Sequence, residues 1–586
     1  MNLFRRTPAR RASEEPSAPS LVALAEAAQW PAGTAPSRAF CRAVGAAFRK
    51  WPDGRAALIG RDALPVWSGL LTMRWPGMAV LEVDPAEGVS AVHLRMAAAG
   101  PFDVIVDTSD ADTSVQLDAF ERTFGHLREG GTYLVRRMLV DTESGVPDDL
   151  WSRCAAAQAA RNRGFAGDID PDLRWLTRRM RSFEVRGESL ILTARMPGRA
   201  KIREEEVSTL LADRPDLGRV ISVRPAADLV SSATYTDNAD TSDPARVPVF
   251  RAPELQLRRY DDVICSRGQI VATDHHLLPD SYRHPQLRRL VNIYIDDLAP
   301  LFGEIRHRQD RRRSLQGAYY YLDSEAPGHF GHLLTEQVSR LWGWQQAKKS
   351  EPGLKLLLSL HQTRPSQRLE AHELSILEAV GITEDDVVVF DDPVRVERLY
   401  AGTPMFACPD RGSAEGGEPY VHPDIGALWR RIGDHVAERA PSAVRPRRLF
   451  VSRRPSLKRA CHNLLEVENL FREHDFTVLY PEEHSMAEQV ALFRAAEVVA
   501  GFAGSALFTL AFCADPTDVI ALAPSSYTGR NEYPISSVIG HRLTVVWSSS
   551  DIDHPPGGWT REAFMSGFTF DMDREGRYLR AVLDAV

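Results

Sequence analysis

Three clusters in this 586-residue chain place reactive side chains at spacings that could do chemistry. His332, Glu336 and Arg340 recur at i, i+4 and i+8 in HLLTEQVSRLW, which stacks them on one face of a helix. A histidine backed by a carboxylate can act as a general base, because the carboxylate fixes the imidazole tautomer and raises its basicity. The bland reading is a solvent-exposed face closed by a Glu–Arg pair. The glycine-flanked start of the helix, GHFGH, favours function. The second cluster, SRRPSLKRACHN, offers Ser452, Arg453, Arg454, Lys458, Arg459 and Asn463. Arginine forks suit bidentate phosphate contacts. A solvated basic loop would leave unexplained why the cluster follows a buried strand. The third, GFAGSAL from Gly501 to Leu507, includes Gly504 and Ser505 between a strand and a helix, where backbone N–H groups and the helix dipole can face an anion. Tight strand–helix packing also selects small residues there. Glu482, Glu483 and Glu488 could accept bonds from ribose hydroxyls, and Glu488 heads a helix, where it is also an ordinary dipole partner.

The elements that must position these groups alternate. LFV, FTVLY and EVVAGF are apolar runs, separated by the amphipathic stretches HNLLEVENLFREH and MAEQVALFRAAE. Such alternation predicts βαβ units on a parallel sheet, with chemistry at the carboxyl ends of the strands. GAYYYLDS, LKLLLSL and DDVVVFDD continue the pattern upstream, and DVIALAP and RLTVVW continue it downstream. The sequence therefore predicts an α/β protein with two Rossmann-like halves at 249–420 and 441–586, joined by a connecting helix at 421–440. ICSRGQIVATDHH reads as a hairpin. The basic run RHRQDRRR (306–313) reads as a solvated loop.

Ahead of these lies a separate α/β pattern at 36–202. AALIG, AVLEVD and FDVIVDTS read as strands, REGGTYLVRRM as a turn and a strand, and SFEVRGESLILTARM as a hairpin. Residues 203–248, rich in Asp, Ser, Thr and Pro, read as a linker. Residues 1–35 read as a disordered leader that lacks the apolar core of a secretory signal. Its arginines could touch an anionic membrane surface as a peripheral contact, against the plainer reading of a solvated tail.

Composition narrows the class. A net charge of −8 argues against general nucleic-acid binding. Six scattered cysteines without a CxxC pair form neither a disulfide framework nor a zinc site, and they suit a reducing cytoplasm. No apolar run reaches the roughly 20 residues that span a bilayer.

The passage FDVIVD…QLDAFERTFGHLREGGTYLVRRM resembles the later half of a class I S-adenosylmethionine-dependent methyltransferase. Glu82 and Asp84 stand where such folds place a carboxylate for the ribose. The first strand opens into GRDALPVW, however, with only Gly60 where a glycine-rich turn belongs. The resemblance with this departure thus favours a degenerate Rossmann-like domain serving as scaffold or docking surface over an active methyltransferase. Residues 250–550 resemble glycosyltransferase family 61 through YYLDSEAPGHFGHLLTEQVSRLW, RRLFVSRRPSLKRACHNLLEVENLF and FTVLYPEEHSMAEQVALFRAAEVVAGFAGSALFTLAF. That resemblance implies a GT-B-like fold, a nucleotide-sugar donor, a glycan or glycoconjugate acceptor, and inverting transfer without a metal. It places the donor against Arg453, Arg459, Asn463 and the turn holding Gly501, Gly504 and Ser505, to which the residue reading adds Arg454 and Glu488, and the acceptor against His332 and Glu336. Many members carry a His-Gly pair in the last turn and an Asn soon after. This chain has Ala503–Gly504 and Thr509.

The expectation is a cytoplasmic glycosyltransferase of polysaccharide or capsule biosynthesis, with no cofactor and no use of S-adenosylmethionine. Two other readings are a non-catalytic pseudo-glycosyltransferase scaffold and a bifunctional methyltransferase–glycosyltransferase. Neither the sugar nor the oligomeric state is legible in the sequence.

Overall fold

The computed structural model describes residues 19–109, 113–136, 149–163, 171–187, 189–195, 198–239, 246–306, 313–361, 368–409, 417–442, 445–454 and 458–586. The chain is α/β and divides into two compact units. One comprises Met1–Lys201 with Asp297–Glu304, and the other Ile202–Asp296 with Ile305–Val586.

The first unit is built on strands β1 (Arg55–Ile59), β2 (Ala79–Val83), β3 (Phe102–Asp107), β4 (Leu127–Val135), β5 (Met180–Arg186) and β6 (Ser189–Ala194). Their order is β2-β1-β3-β4-β6-β5. β2, β1, β3 and β4 run parallel, and the β5–β6 hairpin joins antiparallel through β6. Every residue of β3 is buried, as a strand covered by helices on both faces requires. This is the expected Rossmann-like sheet. The Gly130–Gly131 pair does not precede β4. It lies inside it, where Phe102↔Leu127 jumps to Val104↔Thr132 and Gly130 takes φ +74°. A bulge of this kind needs glycine conformations, so it reads as a turn in sequence.

The expected leader is corrected in its second part. Residues 1–18 lie outside the described residues, but Leu21–Ala27 is a helix capped by Ser20. Leu21 and Ala25, one turn apart, are buried in the cluster around Phe40, Trp67 and Leu71.

In the second unit, β7 (Leu255–Ser266), β8 (Arg313–Tyr321), β9 (Lys355–Leu358), β10 (Val387–Val389) and β11 (Val394–Gly402) form a sheet ordered β7-β11-β8-β9-β10. All pairs are parallel except β7–β11. β7 turns at Gly268 (φ +79°) to pair with Ile270–Ala272, giving the expected hairpin. Of the basic run, residues 307–312 lie outside the described residues. The later half holds β12 (Arg448–Val451), β13 (Thr477–Leu479), β14 (Val498–Phe502), β15 (Asp518–Pro524) and β16 (Arg542–Ser548) in the all-parallel order β16-β15-β14-β12-β13. From β12 the chain moves to β13 on one side and then to β14 on the other. The carboxyl ends of β12 and β14 therefore flank the switch point, where open α/β sheets hold their ligands.

Over residues 203–239, the linker expected at 203–248 is in fact structured. Gly218–Arg224 pairs antiparallel with β7, and Thr234–Asp237 pairs parallel with β16, so this stretch joins both sheets. Asn238 extends the second pairing with a side chain that mimics a peptide: Nδ2 donates to the Trp547 carbonyl at 3.0 Å and Oδ1 accepts from the Trp547 N–H at 2.7 Å. Edge strands like these bury few side chains, which is why their composition reads as a linker. The connecting helix is Ile425–Ala437, with Ile425, Trp429, Ile432 and Val436 buried along one stripe. These residues belong to a hydrophobic core that runs from Leu257 and Tyr320 to Val499 and Leu543, across both halves of the unit.

Candidate functional site

β8 leads into Asp323, whose buried carboxylate accepts the Ser359 N–H (2.8 Å), the Ser359 hydroxyl (2.7 Å) and the Gln269 N–H (3.0 Å). Gln337 Nε2 donates to the Leu322 carbonyl at 2.6 Å. These bonds fix the exit of β8 and the helical run 330–350 that follows, in which Leu333–Gln337 forms a wider, π-helical turn. Turns of this type concentrate at functional sites.

On this turn the His332 Nδ1 meets Glu336 Oε1 at 2.7 Å, and the Arg283 Nε–H donates to the same oxygen at 2.6 Å. Burial opposes ionisation of Glu336, but Arg283 and His332 outweigh it and hold its carboxyl well below the usual range. An ionised carboxylate only accepts, so the proton of His332 sits on Nδ1 and Nε2 is left as the base. The second oxygen of Glu336, Oε2, is buried without a hydrogen-bond partner. The Glu336–Arg340 pair of the bland reading does not form. Glu336 and Arg340 are both buried, Glu336 takes Arg283 instead, and the wide turn puts position 340 out of line with 336. Burial, reinforced by the Arg283 cation, pulls His284 down to about 3, and His329 is held down to about 4 by the protein around it and the neighbouring His332 and Lys458. Burial raises the Glu325 carboxyl, which accepts the Ile293 N–H at 2.8 Å.

The opposite wall is the switch point. Arg453, straight after β12, lies over Phe502 at 4.9 Å and donates long bonds to the carbonyls of Arg459 (3.4 Å) and Ala503 (3.3 Å). Burial, then the Arg459 charge, pulls its guanidinium down to about 10. Arg459 has φ +48° and stacks on Tyr527 (4.8 Å) and Phe564 (5.1 Å). Among the described residues neither arginine makes an ion pair. Gly504 (φ +134°) opens the 3-10 helix Ser505–Phe512, and a Cβ there would stand 3.1 Å from Arg459 Nη2. The Gly504 N–H donates to buried Glu532 at 2.5 Å; burial raises that carboxyl, and Tyr527 shares it. Two cations, a glycine turn and the first N–H groups of a helix thus converge, which is the chemistry of an anion site.

The two walls meet. A Cβ on Gly331 would come within 3.0 Å of the Ser505 Cβ and 3.3 Å of the His329 ring. Of the residues expected at the site, the structure brings His332 and Glu336 onto one wall and Arg453, Arg459, Gly504 and Ser505 onto the other. Gly501 lies beneath, where a Cβ would be 2.6 Å from the Val451 carbonyl, so its role is packing. Three expected donor contacts have other partners. Arg454 pairs with Glu483 and stacks on Tyr480. Asn463 holds both backbone groups of Phe570, at 2.9 and 3.0 Å. Glu488 closes a capping box with Ser485, at 2.7 Å from its hydroxyl. Each satisfies a local backbone or charge demand that a lone sequence motif does not reveal. Arg283, Glu325 and Glu532 went unforeseen because Glu336, Ile293 and Gly504, to which they bond, lie 53, 32 and 28 positions away, and no local pattern marks the burial of His284.

In the first unit, Asp84 pairs with Arg61 at 2.8 Å, and a Cβ on Gly60 would meet the Thr108 hydroxyl at 2.5 Å. The carboxylate expected to face a ribose is thus already matched by a cation from the first turn.

Residues 330–520 match the family Glycosyltransferase 61, a span that holds His332 and Glu336 of one wall and Arg453, Arg459, Gly504 and Ser505 of the other. No curated protein matches the chain. Solved structures that resemble it include the MycE methyltransferase from the mycinamycin biosynthetic pathway. Its complex with Mg and SAH is 15% identical over 27% of this chain and 49% of that one, at a TM-score of 0.23. Its complex with Mg, SAH and mycinamycin VI is 14% identical over 30% and 54%, at 0.25. The chain spans about half the length of these structures, and likeness at this level says nothing about what it binds.

Proposed function

We propose that the second unit is an inverting, metal-independent glycosyltransferase that moves a sugar from a nucleotide-sugar donor to a hydroxyl of a glycan or glycoconjugate. The observation that carries this reading is the juxtaposition of the His332–Glu336–Arg283 array with two arginines that make no ion pair among the described residues. His332 Nε2 takes the proton of the acceptor hydroxyl, and Glu336 stabilises the imidazolium that forms. The hydroxyl oxygen attacks the anomeric carbon as the bond to the diphosphate breaks. Arg453, Arg459 and the N–H groups after Gly504 receive the departing charge. Arginines thereby supply the countercharge at Ala503–Gly504, where many family members carry His-Gly. Polysaccharide or capsule biosynthesis in the cytoplasm is the setting that fits this chemistry. No helix among the described residues is long and apolar enough to cross a membrane, and the cysteines are all free.

The test is a thermal-shift screen with UDP-, GDP- and CMP-sugars. One of them should raise the melting midpoint. Arg459→Ala should abolish that rise, and His332→Ala should keep it while losing turnover. No stabilisation by any nucleotide sugar would favour the non-catalytic scaffold.

A further inference from the structure

The second unit carries a pocket of about 340 Å³ that the transfer chemistry does not use, lined by Glu205, Glu254, Gln256, Gln286, Pro285 and Tyr420, with Glu204 at its base. That size falls within the roughly 300–1,000 Å³ of small-molecule sites and far exceeds a single ion. Glu204 is matched internally by the buried guanidinium of Arg258. Glu205 and Glu254 are exposed, and neither makes an ion pair among the described residues, so the rim is negative. The amides point to a ligand. Gln256 is only 7% exposed, and its Nε2 donates to Glu254 at 3.1 Å, yet its Oε1 has no partner. Both amide atoms of Gln286 are likewise occluded and unpartnered. Buried amides left unsatisfied cost about 1–3 kcal/mol each, so a ligand that draws these two side chains round to meet it gains what their present packing forgoes.

We infer that this pocket is an acceptor subsite for one sugar ring of a neutral or amine-bearing glycan, and that it rejects acidic sugars. A sugar supplies adjacent hydroxyls that donate and accept at once, which planar amides and carboxylates bind in pairs. Its C–H face suits Pro285 and the buried ring of Tyr420. A uronate would bring a second anion against Glu205 and Glu254. The inference rests on the transferase reading through one connection: Pro285 and Gln286 continue the segment whose Arg283 holds Glu336. A glycan seated here stands on the strand of chain that positions the base.

Saturation-transfer NMR on the full chain, with methyl glycosides of glucose, galactose, mannose, glucosamine and glucuronic acid, tests it. At least one neutral or amino glycoside should receive saturation and the glucuronide none. Gln286→Ala should cut the signal at least fivefold, and Glu205→Lys with Glu254→Lys, both at exposed positions, should admit the glucuronide. Absence of binding by every neutral and amino glycoside, or signals unchanged in both variants, would overturn the proposal. UDP, GDP and CMP affinities measured in parallel should be the same in wild type and variants. Sugar binding by a chain that takes none of these nucleotides would sink the transferase reading and uphold the pocket.

Discussion

At the residue scale, the site depends on how buried charges are matched. His284 is neutral in the folded state, held down to about 3 by burial and by Arg283, whereas an unfolded histidine titrates near 6.5. Between those values the unfolded chain binds more protons, so stability rises with pH across the window and is lost on acidification. Glu336 works in the same direction lower down. Its depressed carboxyl stabilises the fold above the ordinary glutamate value of about 4.3 and loses that contribution as pH falls further. Urea denaturation from pH 7 to pH 4.5 should show stability falling by up to about 1.4 kcal/mol per unit for a single such group. His284→Gln should flatten the slope, and a flat wild-type profile would contradict the account. These residues were only partly legible in the sequence. The His332–Glu336 pair follows from helical periodicity. Its third member, Arg283, comes from 53 positions upstream, and no local pattern marks it.

At the scale of elements, two glycines of one turn do different work. Gly501 packs β14 against β12, and its Cβ would meet the Val451 carbonyl at 2.6 Å. Gly504 holds φ +134° beneath Arg459. Gly501→Ala should therefore destabilise the second unit by about 1–3 kcal/mol, as overpacking does, and should lower the melting midpoint. Gly504→Ala should strain the backbone at that φ and, unlike Gly501→Ala, should also weaken nucleotide affinity by displacing the guanidinium, read by calorimetric titration with UDP. Equal effects of the two variants on melting and binding would refute this division. The βαβ alternation was readable because its strands are buried on both faces and so form apolar runs. The edge strands Gly218–Arg224 and Thr234–Asp237 were not, because half of each faces solvent and the ladder itself is invisible in composition.

At the scale of the molecule, the first unit keeps the sheet order of a Rossmann-like domain, while Asp84 at the end of β2 is already paired with Arg61 and the Thr108 hydroxyl is bonded to the Ile59 carbonyl. S-adenosylmethionine is accordingly expected to leave the thermal midpoint unchanged, and a ligand-dependent rise would revive the bifunctional reading. The second unit shares one core across its two sheets, so it should unfold as one piece. What the sequence by itself determined was the periodicity: α/β layers, a cationic loop and a glycine turn after consecutive strands, and a histidine one turn from a carboxylate. Those follow from local geometry, in which spacing decides facing. Only the tertiary structure decided which charges are satisfied. It committed Arg454, Asn463 and Glu488 to other partners, left Arg453 and Arg459 without an ion pair among the described residues, and brought Arg283 to Glu336. Charge pairing acts over a few ångströms of space and is indifferent to sequence separation, so it becomes definite only once the chain has folded.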